Sequence, residues 1–318
     1  MAVRQQARLF QVAAEELPAP LPSLEEVFAC DDIIVTRQGA CDISCEVTIV
    51  KVSDFYEARF GTGVNMAEVE NMIFVAENTS IRIPKVYSAY TYGEKHDSTI
   101  MIVEFVEGLL LADFAYHPRR YLRSIRERLC AQIAELRQIP NPNIVRFGAL
   151  GNRGYPSFCP HMPAVGPFDT SVDAAVNLLF PLLPRHGNTF AELQSMFSAL
   201  YGAMIAGDER WAPVFSNGAL NGEGIVIEAD GTPVILDWQF AGFYPAFYEQ
   251  YRADALIKHW LEFSLATPSY LCESRLADLF LEKWLDTEED ADAEEDYGMV
   301  RNAMESGIPF ENDKDREE

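Results

Sequence analysis

The chain has 318 residues, of which 48% are hydrophobic and 12% aromatic, and its formal net charge is -24 at pH 7. This composition predicts a globular protein with a substantial core, because disordered chains contain far fewer apolar residues. The negative charge excludes nucleic acids and anionic membranes as expected partners, since both are bound through basic surfaces. No stretch reaches the roughly 18 apolar residues of a membrane span, and the N-terminus lacks the apolar core of a signal peptide. We therefore expect a soluble, cytoplasmic protein.

The N-terminal part of the chain is predicted to form strands around a short helix. Ser23 is followed by Leu-Glu-Glu, the pattern of an N-cap serine with an acidic first helical turn. Residues 31–45 and 47–52 then alternate as strands do around Gln38-Gly39, which is expected to form a hairpin turn. The sequence thus predicts a β-hairpin early in the chain.

The next segment predicts a helix followed by a strand. Four apolar side chains fall on one face of a helix that begins near Glu68, namely Val69, Met72, Phe74 and Val75. Residues 99–106 read T-I-M-I-V-E-F-V, which is typical of a buried strand. We expect the first lobe to end just after this strand, so that residues 1–108 form an N-terminal lobe and residues 109–318 a C-terminal lobe.

The second lobe is predicted to be mainly helical. Residues 121–139 carry leucine and isoleucine at three- and four-residue spacing, and Pro140 ends this amphipathic helix. Residues 286–296 are almost uninterruptedly acidic, which is typical of a solvated tail. Further helices are expected over 190–206, 245–263, 274–285 and 297–308.

One stretch of the second lobe, residues 214–249, combines a polar loop with a hairpin. Two short aliphatic runs, I-V-I at 225–227 and V-I-L at 234–236, flank an Asp-Gly turn pair. A polar, glycine-rich loop precedes the first run, and Asp237 follows the second. We therefore expect the carboxylate of Asp237 to face the same region as the preceding loop.

This stretch resembles the core motif of the aminoglycoside phosphotransferase family, in the form found in fungal small-molecule kinase-like proteins. The motif reads H-G-D-L-H-x-x-N-[I/L]-L-V, then D-G, then I-I-D-W-E-x-A-G-x-Y-P. Residues 237–245 of this chain, D-W-Q-F-A-G-F-Y-P, match its second half. The resemblance extends from about residue 33 to residue 263. It implies an α+β, bilobal, protein-kinase-like fold, with a small antiparallel-sheet N-terminal lobe and a larger, mainly helical C-terminal lobe.

The first half of the motif departs from the family pattern. In the family the first Asp is the base for the acceptor hydroxyl, while the Asn five residues later and the Asp before Trp hold Mg²⁺. Here these positions are Ala219, Gly224 and Asp237, and the first His of the motif is Asn217. Ala219 cannot deprotonate a hydroxyl, and Gly224 offers no side-chain ligand. The resemblance therefore implies a kinase fold without ordinary phosphotransfer chemistry.

The resemblance also assigns a cation to the cleft. In the family a strand lysine contacts the nucleotide phosphates and pairs with a glutamate of the following helix. Lys51 ends a predicted strand, and Glu68 lies in a segment similar to the family signature E-A-x-x-[ML]-x-F-V. We therefore predict a Lys51–Glu68 ion pair inside the cleft. The hairpin at Gly39 would cover the ligand, and the backbone from Glu104 to Val106 would hydrogen-bond to it.

Lys51, Glu68 and Asp237 are thus the predicted catalytic residues. Ionisable groups in a partly dry pocket have shifted pKa values and suit proton transfer. We expect a small-molecule enzyme of natural-product biosynthesis that needs no cofactor and catalyses a step such as cyclisation, isomerisation or dehydration. Its substrate is expected to be cationic or hydrophobic. The residues predicted to contact the ligand are Gly39, Glu104, Asn217, Asn221, Glu223, Trp238 and Tyr244.

Two other functions stay open. A non-standard phosphotransferase would use ATP and Mg²⁺, with Asp237 as a metal ligand and Glu223 in place of the missing one. A non-catalytic scaffold would keep the pocket for a nucleotide or metabolite and contact a partner through its surface. Mg²⁺-dependent binding of ATP with release of ADP distinguishes the first of these from an ATP-independent enzyme.

Overall fold

The computed structural model describes residues 5–39, 42–93, 98–114, 119–156, 164–179, 212–246 and 248–253. The helices predicted over 190–206, 274–285 and 297–308 lie outside these residues, as does the acidic run 286–296. Only the beginning of the helix predicted over 245–263 is described. Among the described residues, no helix combines the length and apolarity needed to cross a membrane.

A six-stranded antiparallel sheet forms the first lobe. Its strands are β1 (Gln5–Gln11), β2 (Ile33–Gly39), β3 (Asp42–Lys51), β4 (Tyr56–Gly61), β5 (Val86–Tyr92) and β6 (Ser98–Glu104). They are hydrogen-bonded in the order β1-β5-β6-β4-β3-β2. The predicted hairpin is confirmed, since β2 pairs with β3, but Gln38 and Gly39 are the last residues of β2 and not its turn, and Gly39 lies opposite Asp42. The buried strand predicted over 99–106 is confirmed as β6, which lies between β5 and β4.

Two helices pack on this sheet, one on each face. The first, α1 (Leu24–Phe28), begins at Ser23, which forms a capping box with Glu26, as the sequence predicts. The second, α2 (Met66–Asn78), is capped by the side chain of Asn65. The helix predicted around Glu68 is therefore confirmed.

The sheet has a hydrophobic core on each face because side chains alternate along a strand. The core beneath α1 contains Ala58, Ile100 and Ile102. The core beneath α2 contains the intervening residues Met101 and Val103 and continues into the second lobe. Three of the four residues predicted for the apolar face of α2 are fully buried there, and they are Val69, Met72 and Val75.

The second lobe combines short strands with helices. Its strands are β7 (Leu109–Leu110), β8 (Pro213–Ser216), β9 (Ile225–Ile227), β10 (Pro233–Ile235) and β11 (Gly242–Pro245). Its described helices are α3 (Leu111–Phe114), α4 (Arg119–Leu136), α5 (Ser171–Leu179) and α6 (Tyr248–Arg252). The predicted hairpin is confirmed as β9 and β10, while β8 pairs with β11. The amphipathic helix predicted over 121–139 is confirmed as α4.

Three strands of the sheet, β1, β4 and β5, are absent from the predicted elements. In β4, Tyr56 and Ala58 face the core beneath α1, whereas Glu57 and Arg59 lie on the opposite face. Charged residues on one face interrupt the apolar run that marked the other strands. The charged face of β4 lies next to α2, since Arg59 donates to Glu68 of that helix.

Candidate functional site

Asp237 lies where the β9–β10 hairpin meets the loop before it. The N–H of Leu236 donates to the carbonyl oxygen of Gly224 at 2.8 Å, which holds the loop against the end of β10. A Cβ added to Gly224 would lie 3.6 Å from the Cβ of Asp237, an ordinary van der Waals distance. The half-buried Asp237 side chain accepts a hydrogen bond from the N–H of Gln239 at 3.3 Å. The two motif positions linked to Mg²⁺ in the family are therefore neighbours here, and only Asp237 carries an oxygen ligand.

The loop backbone is held by the buried carboxylate of Glu249 in α6. The N–H of Asn217 donates to Oε2 at 2.6 Å, and the N–H of Gly218 donates to Oε1 at 3.2 Å. Burial raises the pKa of Glu249 to about 7, although Arg137 and the two N–H donors act in the opposite direction. This anchor fixes the loop even though its base position, Ala219, has no acidic group.

Two asparagines predicted to contact a ligand are hydrogen-bonded within the loop itself. The side-chain amide of Asn217 is buried, and its Nδ2 donates to the backbone carbonyl of Asp237. Oδ1 of Asn221 accepts from the N–H of Glu223 at 3.0 Å and from that of Gly224 at 2.8 Å. Glu223, also a predicted ligand residue, is exposed. The two amides therefore shape the loop around Asp237.

A buried arginine, Arg59 of β4, links the first lobe to this loop. Its Nη1 donates to Oε1 of Glu68 at 2.6 Å and to the carbonyl oxygen of Leu236 at 2.8 Å. Its Nε donates to Oε1 of Glu57 at 2.6 Å. The three charged side chains are at most 10% exposed. Because Leu236 immediately precedes Asp237, Arg59 brings the charged face of β4 to the predicted site.

This arginine corrects the prediction of a Lys51–Glu68 ion pair. Lys51 binds Asp54 instead, with 3.0 Å between Nζ and Oδ1, and its Nζ lies 4.4 Å from the centroid of the Phe105 ring. The hydrogen bond to Asp54 raises the pKa of Lys51. Lys51 lies one strand too early in the chain, on β3, whereas α2 follows β4. Arg59 therefore fills the position that the resemblance assigned to Lys51.

Glu68 titrates close to neutral pH. Burial raises its pKa to about 7, and the negative charges of Asp237 and Glu57 add to the shift, while Arg59 and the backbone of Trp238 oppose it. Burial by itself lowers the pKa of Arg59, but the carboxylates outweigh burial and the net shift is upward. A carboxyl group with a pKa near 7 can hold or release a proton at neutral pH.

Two aromatic residues predicted to contact the ligand lie in the core. Trp238 is fully buried, and its indole N–H donates to a backbone carbonyl of β10 at 2.8 Å. The hydroxyl of Tyr244 donates to the carbonyl oxygen of Phe240 at 2.7 Å. The Tyr244 ring stacks on Tyr155 and Tyr248, with centroid distances of 4.1 Å and 4.3 Å. Trp238 and Tyr244 thus make structural contacts in the core, although both follow Asp237 closely in the sequence.

The remaining predicted ligand residues lie at strand ends of the sheet. Glu104 ends β6 and binds Arg82 through two hydrogen bonds of 2.7 Å and 2.9 Å. Arg82 also donates to Glu228 of the second lobe at 3.0 Å, so this group joins the lobes. Gly39 ends β2 opposite Asp42. The turn beyond Gly39 lies outside the described residues.

The residues around Asp237 do not form a Mg²⁺ site by themselves. Mg²⁺ prefers octahedral oxygen coordination, usually with one or two carboxylates plus water and phosphate. Asp237 supplies one carboxylate, Gly224 supplies none, and the carboxylate of Glu68 is bound to Arg59. No three histidine, cysteine, aspartate or glutamate side chains come together as metal ligands in the part of the chain that the structure describes.

Glu57, Arg59 and Glu249 are site residues that the sequence patterns did not single out. The available signal for the first two was the alternation in Y-E-A-R-F, directly before a helix. Glu249 gives no such signal, because its partner Asn217 is 32 residues away in sequence. Its role follows only from the way α6 packs against the loop.

Comparison with solved structures identifies the fold. A thermostable mutant of the aminoglycoside phosphotransferase APH(4)-Ia, in its apo form, is 15% identical, with 86% of this chain and 89% of that chain covered and a TM-score of 0.51. A ternary complex of another mutant of that enzyme with AMP-PNP and hygromycin B is 14% identical, with 89% and 98% covered and a TM-score of 0.51. No protein-family model and no curated protein sequence matches the chain. The α+β, bilobal, kinase-like fold predicted from the resemblance is confirmed.

Proposed function

We propose that this protein is a small-molecule enzyme that performs acid–base chemistry between its two lobes and does not transfer phosphate from ATP. One observation carries the proposal. The residue packed beside Asp237, at the other motif position that holds Mg²⁺ in the family, is Gly224. Phosphoryl transfer relies on Mg²⁺ to bridge the phosphates and on a group that positions the acceptor. Gly224 and Ala219 provide no side chain for either task. Loss of a positioned base alone costs roughly 10² to 10⁴ in rate.

Asp237 is the proposed proton-transfer group. Its side chain is half-buried, and its backbone is fixed by Asn217. The nearby charge of Arg59 stabilises carboxylates, and Glu68 can exchange a proton near neutral pH because its pKa is about 7. Removing a proton from a substrate atom and returning it elsewhere gives isomerisation, and returning it to a departing hydroxyl gives dehydration. Lys51 is left out of this group because it binds Asp54.

The class of ligand is inferred from the fold and from charge. Structures that share the fold hold hygromycin B together with ADP or AMP-PNP. We carry over from them only that the fold can bind a small organic molecule, and its place between the lobes is part of our proposal. The net charge of -24 favours a cationic substrate, whose approach a negative field accelerates. A step in natural-product biosynthesis fits such a ligand.

A non-standard phosphotransferase is the second candidate. Asp237 is retained, and the exposed Glu223 is adjacent in sequence to Gly224. A carboxylate one residue away in a loop could take the place of the missing Mg²⁺ ligand. This candidate requires ATP and Mg²⁺, whereas the main proposal requires neither.

The two candidates are separated by nucleotide binding and turnover. We expect ATP with Mg²⁺ to leave the melting temperature unchanged and to release no ADP above the buffer rate. Stabilisation by ATP that depends on Mg²⁺, together with ADP release abolished in Asp237→Asn, would establish the phosphotransferase instead.

Acid–base catalysis is tested with a mixture of natural small molecules. Wild-type protein and Asp237→Asn are incubated without ATP in a small-molecule extract of the source organism, and products are followed by mass spectrometry. We expect at least one compound to be converted by the wild-type protein and not by the variant. If the wild-type protein converts no compound, the enzyme proposal fails and a scaffold is favoured.

A further inference from the structure

The hydrogen bonds of Arg59 have a specific arrangement. A guanidinium group binds anions bidentately through two edges, one formed by Nε and Nη2 and the other by Nη1 and Nη2. On the first edge, Nε donates to Glu57 at 2.6 Å. On the second edge, Nη1 donates to Glu68 at 2.6 Å and to Leu236. Each edge therefore has one of its two donors bound within the protein.

Glu57 and Arg59 share one face of β4 because they are two residues apart. Both side chains are buried, and the face they occupy meets α2 and the loop that carries Asp237. The positive charge of Arg59 interacts with three carboxylates, those of Glu57, Glu68 and Asp237. A further anion placed here would meet one cation and three acidic groups, so Coulomb repulsion opposes its binding.

We propose that Glu57 is a specificity-determining residue, which occupies on Arg59 the place that an anionic group of a ligand would take. The carboxylate on this edge of Arg59 belongs to Glu57, so a ligand does not have to supply an anion there. Glu68 has a different role, since it ties the arginine to α2 within the first lobe. Replacement of Glu57 by glutamine removes the negative charge that competes with an anion for the edge formed by Nε and Nη2.

This inference rests on the proposed ATP-independent function and specifies which ligands the cleft rejects. A phosphate or diphosphate ester bound at Arg59 needs a free edge of this guanidinium group, and Glu57 occupies that edge. Neutral and cationic molecules do not compete with Glu57 for Arg59. The substrate is therefore expected to carry no phosphate group near this arginine.

The test measures binding of inorganic pyrophosphate and of ADP by isothermal titration calorimetry, without metal. Four proteins are compared, namely the wild type, Glu57→Gln, the double variant Glu57→Gln/Arg59→Gln, and Glu127→Gln. Glu127 is a matched control because it pairs with Arg123 on the surface, so its replacement also removes one negative charge beside an arginine. Circular dichroism and thermal melting establish that each variant is folded.

We expect pyrophosphate to bind Glu57→Gln at least about tenfold more tightly than the wild type, which corresponds to about 1.4 kcal/mol. Glu127→Gln should behave as the wild type does, and the double variant should lose the gain. A folded Glu57→Gln that binds no better than the wild type would overturn the role of Glu57 and leave the proposed function intact. Mg²⁺-dependent ADP release by the wild type would overturn the proposed function by itself.

A measurement on the unaltered protein keeps the inference testable if Glu57→Gln does not fold. The Nε–Hε resonance of Arg59 reports on the edge that Glu57 occupies. We expect pyrophosphate to leave this resonance unchanged in the wild-type protein. A concentration-dependent shift of the resonance would mean that the edge is open to anions, and would overturn the inference.

Discussion

The Cβ position of residue 224 lies 3.6 Å from the Cβ of Asp237, and the nearest other atoms, in the amide of Asn221, are 3.4 Å and 3.5 Å away. A Cβ at position 224 therefore makes only ordinary van der Waals contacts. We predict that Gly224→Asn gains a second oxygen ligand beside Asp237 and binds Mn²⁺, used as a paramagnetic substitute for Mg²⁺, at least about tenfold more tightly than the wild type. Electron paramagnetic resonance of free Mn²⁺ measures this affinity.

The control for this gain is Gly224→Asn combined with Asp237→Asn. The double variant keeps the new amide but loses the carboxylate, so its Mn²⁺ affinity should return to that of the wild type. Equal Mn²⁺ affinity in Gly224→Asn and in the wild type would show that the missing ligand at position 224 is not what separates this site from a metal site.

Arg59 and Lys51 are predicted to differ in their contribution to stability. Arg59→Gln leaves the buried Glu57 and Glu68 without their cation, and breaking a buried ion pair in this way costs about 3–5 kcal/mol. Lys51→Gln removes the pair with Asp54, which is 90% exposed, and the contact of Nζ with the Phe105 ring, so the free energy of unfolding should fall by less than about 2 kcal/mol. Urea unfolding followed by circular dichroism measures both.

The comparison between these two variants decides which residue is the cation of the cleft. If Lys51→Gln were as destabilising as Arg59→Gln, the assignment of the buried pair to Arg59 would be contradicted. Loss of substrate conversion in Arg59→Gln is interpretable only under conditions in which that variant is folded. Melting curves recorded at the assay temperature supply this control.

Much of the fold could be predicted from local patterns. The β9–β10 hairpin follows from two aliphatic runs around an Asp-Gly turn, and α2 from the spacing of its apolar residues. β4 was not predicted because Glu57 and Arg59 replace apolar residues on the face turned toward α2. These charges are stable there only because they neutralise one another, which is a tertiary property.

The site was less predictable because its contacts join distant parts of the chain. Asp237 and Gly224 could be placed together from the motif, and they are neighbours in the structure. The error at Lys51 arose because a strand that ends in lysine is a common pattern. The cation that pairs with Glu68 of α2 lies on β4, the strand next to that helix. β4 was not predicted from the sequence.

Stability is predicted to depend on pH through Glu249. Its pKa is about 7 in the folded protein and ordinarily 4.5, so the folded state binds the proton more tightly. Stability from this group is present below pH 4.5 and is lost as the pH rises toward 7 and above. For one group the change is on the order of 3 kcal/mol. Glu68 has the same direction of shift and adds to the slope.

Glu249→Gln tests this dependence because glutamine does not titrate. The free energy of unfolding of the variant minus that of the wild type should increase as the pH rises from 5 to 7.5, measured by urea unfolding in one buffer series. The variant also replaces one of two oxygen acceptors, so it starts from a penalty of about 1–3 kcal/mol. A difference that does not change with pH would mean that Glu249 is charged in the folded state throughout this range.

Gly218 and Gly231 have nearly the same backbone angle, with φ of 81° and 82°, but different surroundings. A Cβ at Gly218 would lie 2.6 Å from the carbonyl oxygen of Phe240, which already accepts the hydroxyl of Tyr244. A Cβ at Gly231 meets only the end of Arg128 at 3.8 Å. We predict that Gly231→Ala costs about 1 kcal/mol, from the left-handed backbone alone. Gly218→Ala should cost about 3 kcal/mol or more in urea unfolding, because the clash adds to that strain, and equal losses would contradict the close packing of the loop against Phe240.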